Sequence, residues 1–258
     1  MGGSLLIRDI LEHNARVHPS RIALSTPGED VTYLELRDRV RGHAALLRDA
    51  GIGRGDRVAI LAHNSVAYVE ALFAVACAGA ALIPLNYLLI GREQVGILED
   101  ADVKALLYDG EFAFRVDEIR ASLPGIPSLF RIDGHGGIPA GGSAAAEAYP
   151  PVAETDVALI VYNSGSSGRP LGAMLSHRNL LAASTSAALE LRLSRNDVFL
   201  SCAPLPFMGG TGRLLRFLHV GATVVLHRDF DPEETLRAIE RRSVTTVLLT
   251  ATMMARIL

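Results

Sequence analysis

The stretch Arg57 to Ala62 (RVAILA) is apolar at consecutive rather than alternate positions from Val58 onward, so as a strand it needs cover on both faces. His63-Asn64-Ser65 follows as a helix cap, then a mostly apolar helix through Ala78, then Gly79 and a second apolar strand, Ala81 to Ile83, ending at Pro84. Strand, helix and strand that are all apolar predict a parallel sheet buried between layers. A second round repeats the unit: helix from Gly91 to Ala101, strand from Val103 to Tyr108, helix from Glu111 to Leu123, strand from Leu129 to Ile132. With 258 residues, 49% of them hydrophobic, the chain can fill one large or two ordinary α/β domains.

The flanking segments fit that class. From Leu5 to Val17, Leu6, Ile7, Ile10, Leu11 and Val17 make a helical stripe that stops before Pro19, and a strand at Ile22 to Ser25 leads into the turn Pro27 to Asp30. Thr32 and Glu35 form a capping box, and the helix they open runs to Gly51. Residues Asp133 to Val152 are rich in Gly, Ala and Pro and predict a connector, dividing a first α/β region, 1–150, from a second, 151–258. The second region holds strands at Val157 to Val161, Ala173 to Leu175 and Val198 to Cys202, with a helix from Arg178 to Leu191 capped by Ser176. Asp231, Pro232, Glu233 and Glu234 open another helix. A strand at Val244 to Leu249, expected to be as buried as Arg57 to Ala62, and a helix at Thr252 to Leu258 close the chain.

A net charge of −3 gives no general attraction to nucleic acid or to an anionic membrane. No apolar run approaches the ~18 residues of a membrane span, and the N-terminus has no basic flank before a long apolar core, so the cytoplasm is expected. Cys77 and Cys202 are far apart, without ligand spacing, and predict buried thiols in a reducing compartment. Lys104 is the only lysine; at a strand edge it predicts a solvated structural side chain.

Between the apolar runs of the second region lies YNSGSSGRPLG, Tyr162 to Gly172. Gly165, Gly168 and Gly172 permit backbone turns that bring successive N–H groups into one concavity, and the serine hydroxyls add donors, a composition suited to phosphate. It is not the common NTPase loop, which needs four residues between its glycines and then Lys and Ser or Thr. A surface turn has the same composition, so the loop alone leaves both readings open.

Read with SHRNL at Ser176 to Leu180, the loop resembles the signature (S/T)SG(S/T)TGxPKG of the acyl-adenylate-forming, AMP-binding enzymes, which include acyl-CoA synthetases, luciferases and peptide-synthetase adenylation domains. Ser164, Gly165, Ser166, Gly168, Pro170 and Gly172 match it; Asn163, Ser167 and Leu171 depart from it, and Leu171 stands where the family has Lys. GIGRGDRVAILAHNS, AGAALIPLN and PLPFMGGTGRLLRFLHVGATVVL are similar to further family stretches, so the resemblance runs from Leu5 to Leu258. Asp56 and Asn64, within the first of these, are expected to be a turn former and a helix cap rather than catalytic groups.

The resemblance implies stacked parallel sheets with flanking helices, the incomplete N-terminal large domain of the family's fold. It implies ATP, Mg2+ and coenzyme A as cofactors and a carboxylic acid as substrate, with a fatty acid as the first expectation. Ser164, Gly165, Ser166, Ser167, Gly168 and Gly172 would bind the nucleotide; Phe207 and Gly209 would line the acyl site, although Phe207 as ordinary core stays open. A complete member is longer, and the family's adenine pocket, catalytic lysine and C-terminal lid have no counterpart in these residues. The isolated chain is therefore expected to be inactive, and truncated sheet edges would favour self-association or a missing C-terminal half as partner. The alternative function is a non-catalytic interaction or ligand-binding module on the same fold.

Overall fold

The computed structural model describes residues 6–126, 128–132, 149–164 and 170–257. In chain order the elements are α1 (Ile7–Val17), β1 (Ile22–Ser25), β2 (Asp30–Thr32), α2 (Tyr33–Asp49), β3 (Arg57–Leu61), α3 (Val66–Ala78), β4 (Ala81–Pro84), α4 (Gly91–Asp100), β5 (Ala105–Tyr108), α5 (Ala113–Ser122) and β6 (Ser128–Arg131). They continue with β7 (Val157–Ser164), β8 (Pro170–Ser176), α6 (His177–Glu190), β9 (Val198–Ser201), α7 (Met208–His219), β10 (Thr223–Leu226), α8 (Pro232–Arg241), β11 (Thr246–Val247) and α9 (Ala251–Ile257).

Among the described residues the strands form two sheets, ordered β11-β9-β10-β1-β2 and β6-β5-β3-β4-β7-β8. All ladders are parallel except β1–β2 and β7–β8. Strands from both sides of residue 150 share each sheet. Residues 133–148 of the expected connector lie outside the described residues.

The consecutive apolar residues of the strands alternate between two separate cores, as a period of two requires. On β3, Val58 and Ile60 face a large core with α1, α2 and α3, whereas Ala59 and Leu61 face a second core with Ile97 of α4 and Val116 and Ile119 of α5. On β10, Val224 and Leu226 join the large core, while Val225 packs with Leu200 and Ala238 of α8 on the other side. The two sheets therefore sandwich a helical layer, and each carries further helices on its outer face. All thirteen residues of α3 are buried in that middle layer, which is why its sequence has no polar stripe.

One of those thirteen is an acid. Glu70 places its carboxylate 3.4 Å from Arg39 and 3.6 Å from His43, both on α2, and burial raises its pKa to about 7 against the pull of Arg39. His177, also buried, accepts a hydrogen bond at Nδ1 from the Ile7 N–H, 3.2 Å, joining α1 to α6. Burial, with Arg8 nearby, pushes its pKa down to about 4. Cys77 and Cys202 are buried and free, and burial pushes the Cys77 thiol up to about 12. Lys104 is structural: its ammonium donates to the Gly51 carbonyl, 2.6 Å, and pairs with Asp56, 2.9 Å. Asp56 also accepts from the Gly53 N–H, 2.7 Å, as a turn former does.

Two expectations are corrected. Ser65, not Asn64, caps α3, accepting from the Tyr68 N–H at 3.1 Å; Asn64 points away from the helix into the sheet junction. The strand expected at Val244 to Leu249 is only Thr246–Val247 and half-buried. It lies at the end of its sheet with β9 on one side, so its apolar residues get cover from fewer neighbours than those of β3.

Candidate active site

Because β3, β4, β5 and β7 are parallel, their C-terminal ends lie along one edge of the six-stranded sheet. Asn64, just past β3, donates to the carbonyls of Ala203 and His227, which follow β9 and β10, at 3.0 Å each. The C-terminal ends of both sheets thus meet at Asn64, the edge at which α/β sheets generally receive ligands.

The stretch Tyr162 to Gly172 sits on this edge as an antiparallel hairpin. Ser164, the last residue of β7, pairs with Pro170, the first of β8. Gly165, Ser166, Ser167 and Gly168 lie outside the described residues. Gly172 pairs with Tyr162, and a Cβ at 172 would come within 2.9 Å of the Tyr162 ring. That close approach demands glycine whatever the loop binds. The Tyr162 hydroxyl donates to Asp100 at the end of α4, 2.6 Å, and burial, helped by that acid, raises its pKa. Leu171 pairs with Asn163 and is 64% exposed, so it is not a core residue.

Phe207 is the residue before α7 and is 43% exposed, which excludes the ordinary-core alternative. Gly209 lies in the first turn of α7, where a Cβ would make ordinary contact with the Arg213 guanidinium at 3.6 Å, and its carbonyl accepts from Arg213, 2.8 Å. Gly210 is different: a Cβ there would overlap the Pro204 carbonyl.

A cluster that the sequence pattern did not single out sits at the same edge. Arg228 binds Glu111 with two short contacts, 2.5 and 2.6 Å, tying the end of β10 to the turn after β5. His63 lies 3.3 Å from Glu111 and 3.5 Å from Asp229, with its ring against Tyr87 and Phe112 at centroid distances of 4.3 and 5.2 Å. Asp109 accepts from the His63 N–H, 3.0 Å, and burial raises its pKa. These residues are far apart in the chain, so spacing could not group them. Their common signal is that each follows an apolar strand closely. Among the described residues, no set of three or more His, Cys, Asp or Glu side chains is arranged to hold a metal.

A family model described as AMP-binding enzyme matches residues 11–258. The chain belongs to that family. It is 40% identical over 243 residues to a feruloyl-CoA synthase of Amycolatopsis sp, an alignment covering 93% of this chain and 47% of the relative. It is 33% identical over 252 residues to an indoleacetate-CoA ligase of Aromatoleum aromaticum, covering 93% and 48%. Among solved structures, ATP-bound MatB from Rhodopseudomonas palustris matches with a TM-score of 0.87 at 26% identity, covering 98% of this chain and 51% of that one. The MenE o-succinylbenzoate CoA synthetase of Bacillus subtilis, in complex with the acyl-adenylate intermediate OSB-AMP, matches at 0.83 and 27%, covering 99% and 64%. The chain spans about half the length of the curated relatives it matches. Its two parallel-rich sheets with flanking helices are the fold expected of an AMP-binding enzyme. Among the described residues no helix is long and apolar enough to cross a membrane.

Proposed function

We propose that this chain supplies the phosphate-binding and acid-binding parts of an ATP-dependent acid-thiol ligase. Such a ligase joins a carboxylate to the AMP part of ATP, releases pyrophosphate, and passes the acyl group to the thiol of coenzyme A. The observation that carries this reading is the hairpin: its strands bring Ser164 and Pro170 together at the carboxyl edge shared with the Phe207 turn. Ser164, Gly165, Ser166, Ser167 and Gly168 hold the leaving phosphates with N–H and O–H donors, an arrangement that stabilises developing charge. Gly172 lets the Tyr162 ring close the hairpin base, and Phe207 and Gly209 meet the apolar part of the acid. Among the described residues no group of three or more His, Cys, Asp or Glu side chains is arranged to hold Mg2+.

Region 151–258 carries both the loop and the Phe207 turn, and 1–150 forms the framework beneath them. The relatives named for feruloyl and indoleacetate substrates make a ring-bearing acid the first class to test, ahead of a fatty acid. The 258 residues alone, spanning about half of those relatives, are expected to form no acyl-CoA from ATP, coenzyme A and ferulate or palmitate. Turnover above a no-protein blank, in a preparation free of host ligases, would overturn that. A second copy or a separate C-terminal half is the partner to test, and the sheet ends β2, β6, β8 and β11 are the strands on which either would pair.

The test of the loop is Leu171→Lys, made in the longest version of the protein that can be expressed. Since Leu171 is exposed, the new ammonium is not buried, and a charge-assisted hydrogen bond to a polyphosphate is worth about 1.5–3 kcal/mol. Calorimetry should show ATP or pyrophosphate binding roughly 10- to 150-fold tighter at low salt, with the gain shrinking as salt rises. Unchanged affinity would favour a non-catalytic module, the reading that the apolar Leu171 itself supports.

A further inference from the structure

The turn Ala203 to Phe207 is held from inside by two buried polar side chains, Asn64 and Thr211. Asn64 uses both amide hydrogens, on the Ala203 and His227 carbonyls at 3.0 Å, and its oxygen accepts from the Leu205 N–H at 2.8 Å. Thr211, one turn into α7, donates to the Leu205 carbonyl at 2.6 Å. Leu205 is fully buried, and both of its backbone polar groups are thus satisfied by side chains, one from each sheet's side of the junction. The Phe207 N–H reaches back to the Pro204 carbonyl, 3.3 Å, and Gly210 lets that carbonyl lie close against the first turn of α7, where any Cβ would overlap it. The turn is consequently a fixed mount, and Phe207 is the large side chain it leaves half exposed.

We infer that Asn64 and Thr211 are positioning residues for acid recognition: they fix the mount that presents Phe207, so that the ring meets the apolar part of the acid without first being ordered. The inference rests on Phe207 being part of the acid site. Ordering a free turn on binding would lower affinity, so the grip acts on the acid and leaves the nucleotide alone.

The sequence contains no tryptophan, so Phe207→Trp introduces a single fluorophore on the mount. Its anisotropy decay can be followed in this chain without any ligand. Thr211→Val keeps the shape and removes the donor, and should add a fast component to that decay; Thr211→Ser, which keeps the hydroxyl, should not. In the longest expressible protein with native Phe207, Thr211→Val should weaken ferulate binding, measured by calorimetry, by up to about tenfold, the expected cost of ordering a loosened turn on binding. Thr211→Ser should restore it to within about twofold, with ATP affinity constant throughout. Asn64→Ala should act in the same direction as Thr211→Val. If Phe207→Ala leaves ferulate affinity unchanged, the acid-site reading fails and takes the inference with it. If Phe207→Ala weakens binding but Thr211→Val and Asn64→Ala alter neither the decay nor the affinity, the inference alone is overturned. An equal loss of ATP affinity in Thr211→Val would also overturn it, since a general loosening of the fold moves both ligands.

Discussion

β3 and β11 are both short and parallel to their neighbours, yet every residue of β3 from Val58 to Leu61 is fully buried and β11 is only half so. The difference lies in what surrounds them. β3 has β4 and β5 on its sides, the helical layer on one face and α4 and α5 on the other. β11 has β9 on one side, with Val247 packed toward α8 and Leu248 toward the large core. Local composition set the tendency to form a strand; neighbours set what burial was worth.

The comparison is most easily broken at Ile60. Ile60→Ala opens a cavity where no side chain can follow, and should cost about 2–5 kcal/mol in denaturant unfolding. A loss under about 1 kcal/mol would mean that the centre of this sheet relaxes as readily as its edge.

The second effect comes from the layer that makes β3 so well covered. Glu70 of α3 has a folded pKa of about 7, above its ordinary 4.5, so the folded state binds the proton more tightly. Its favourable contribution is fully present below pH 4.5 and is lost as pH rises through 7, a change of roughly 3 kcal/mol at 1.36 kcal/mol per unit. Glu70→Gln cannot titrate, so its stability relative to the native chain should rise by roughly that amount between pH 4.5 and pH 8. A constant difference across that range would show that Arg39 and His43 offset the burial completely.

The smallest effect is expected at the edge. Val247→Ala removes a half-buried side chain from a two-residue strand and should cost about 1 kcal/mol or less, measured in the same way as Ile60→Ala. Equal losses at the two sites would erase the distinction between centre and edge.

The same contrast separates what was legible in the sequence from what was not. Arg57 to Ala62, the capping box Thr32–Glu35 and the Asp231 cap were legible because short-range pattern fixes them; the Thr32 hydroxyl does accept from the Glu35 N–H and Asp231 from Glu234. β2 was hidden because Asp30 to Thr32 looks like the end of a turn and becomes a strand by pairing with β1. α7 and β10 had no separate bounds, since three glycines in Met208 to Gly212 blur the start of a helix that tertiary packing secures. Asn64 looked like a cap because caps favour Asn, whereas its partners lie at 203, 205 and 227. Of the candidate site, the hairpin and Phe207 were legible by resemblance. The His63, Glu111 and Arg228 cluster was not, because it exists only once two sheets are brought edge to edge.

The pairing of Leu24 with Val224 joins residues 200 positions apart, and β1 has no other parallel neighbour. During synthesis at ~5–20 residues per second, β1 and β2 must therefore wait roughly 10–40 s for β10 to be made. Through that interval Ala23 and Leu24, fully buried in the finished protein, have only the short β1–β2 ladder and the early helices for shelter. The first strand of the chain is thus among the last to find its place, and a ribosome that pauses before residue 223 lengthens the time for which that apolar pair is open to other chains.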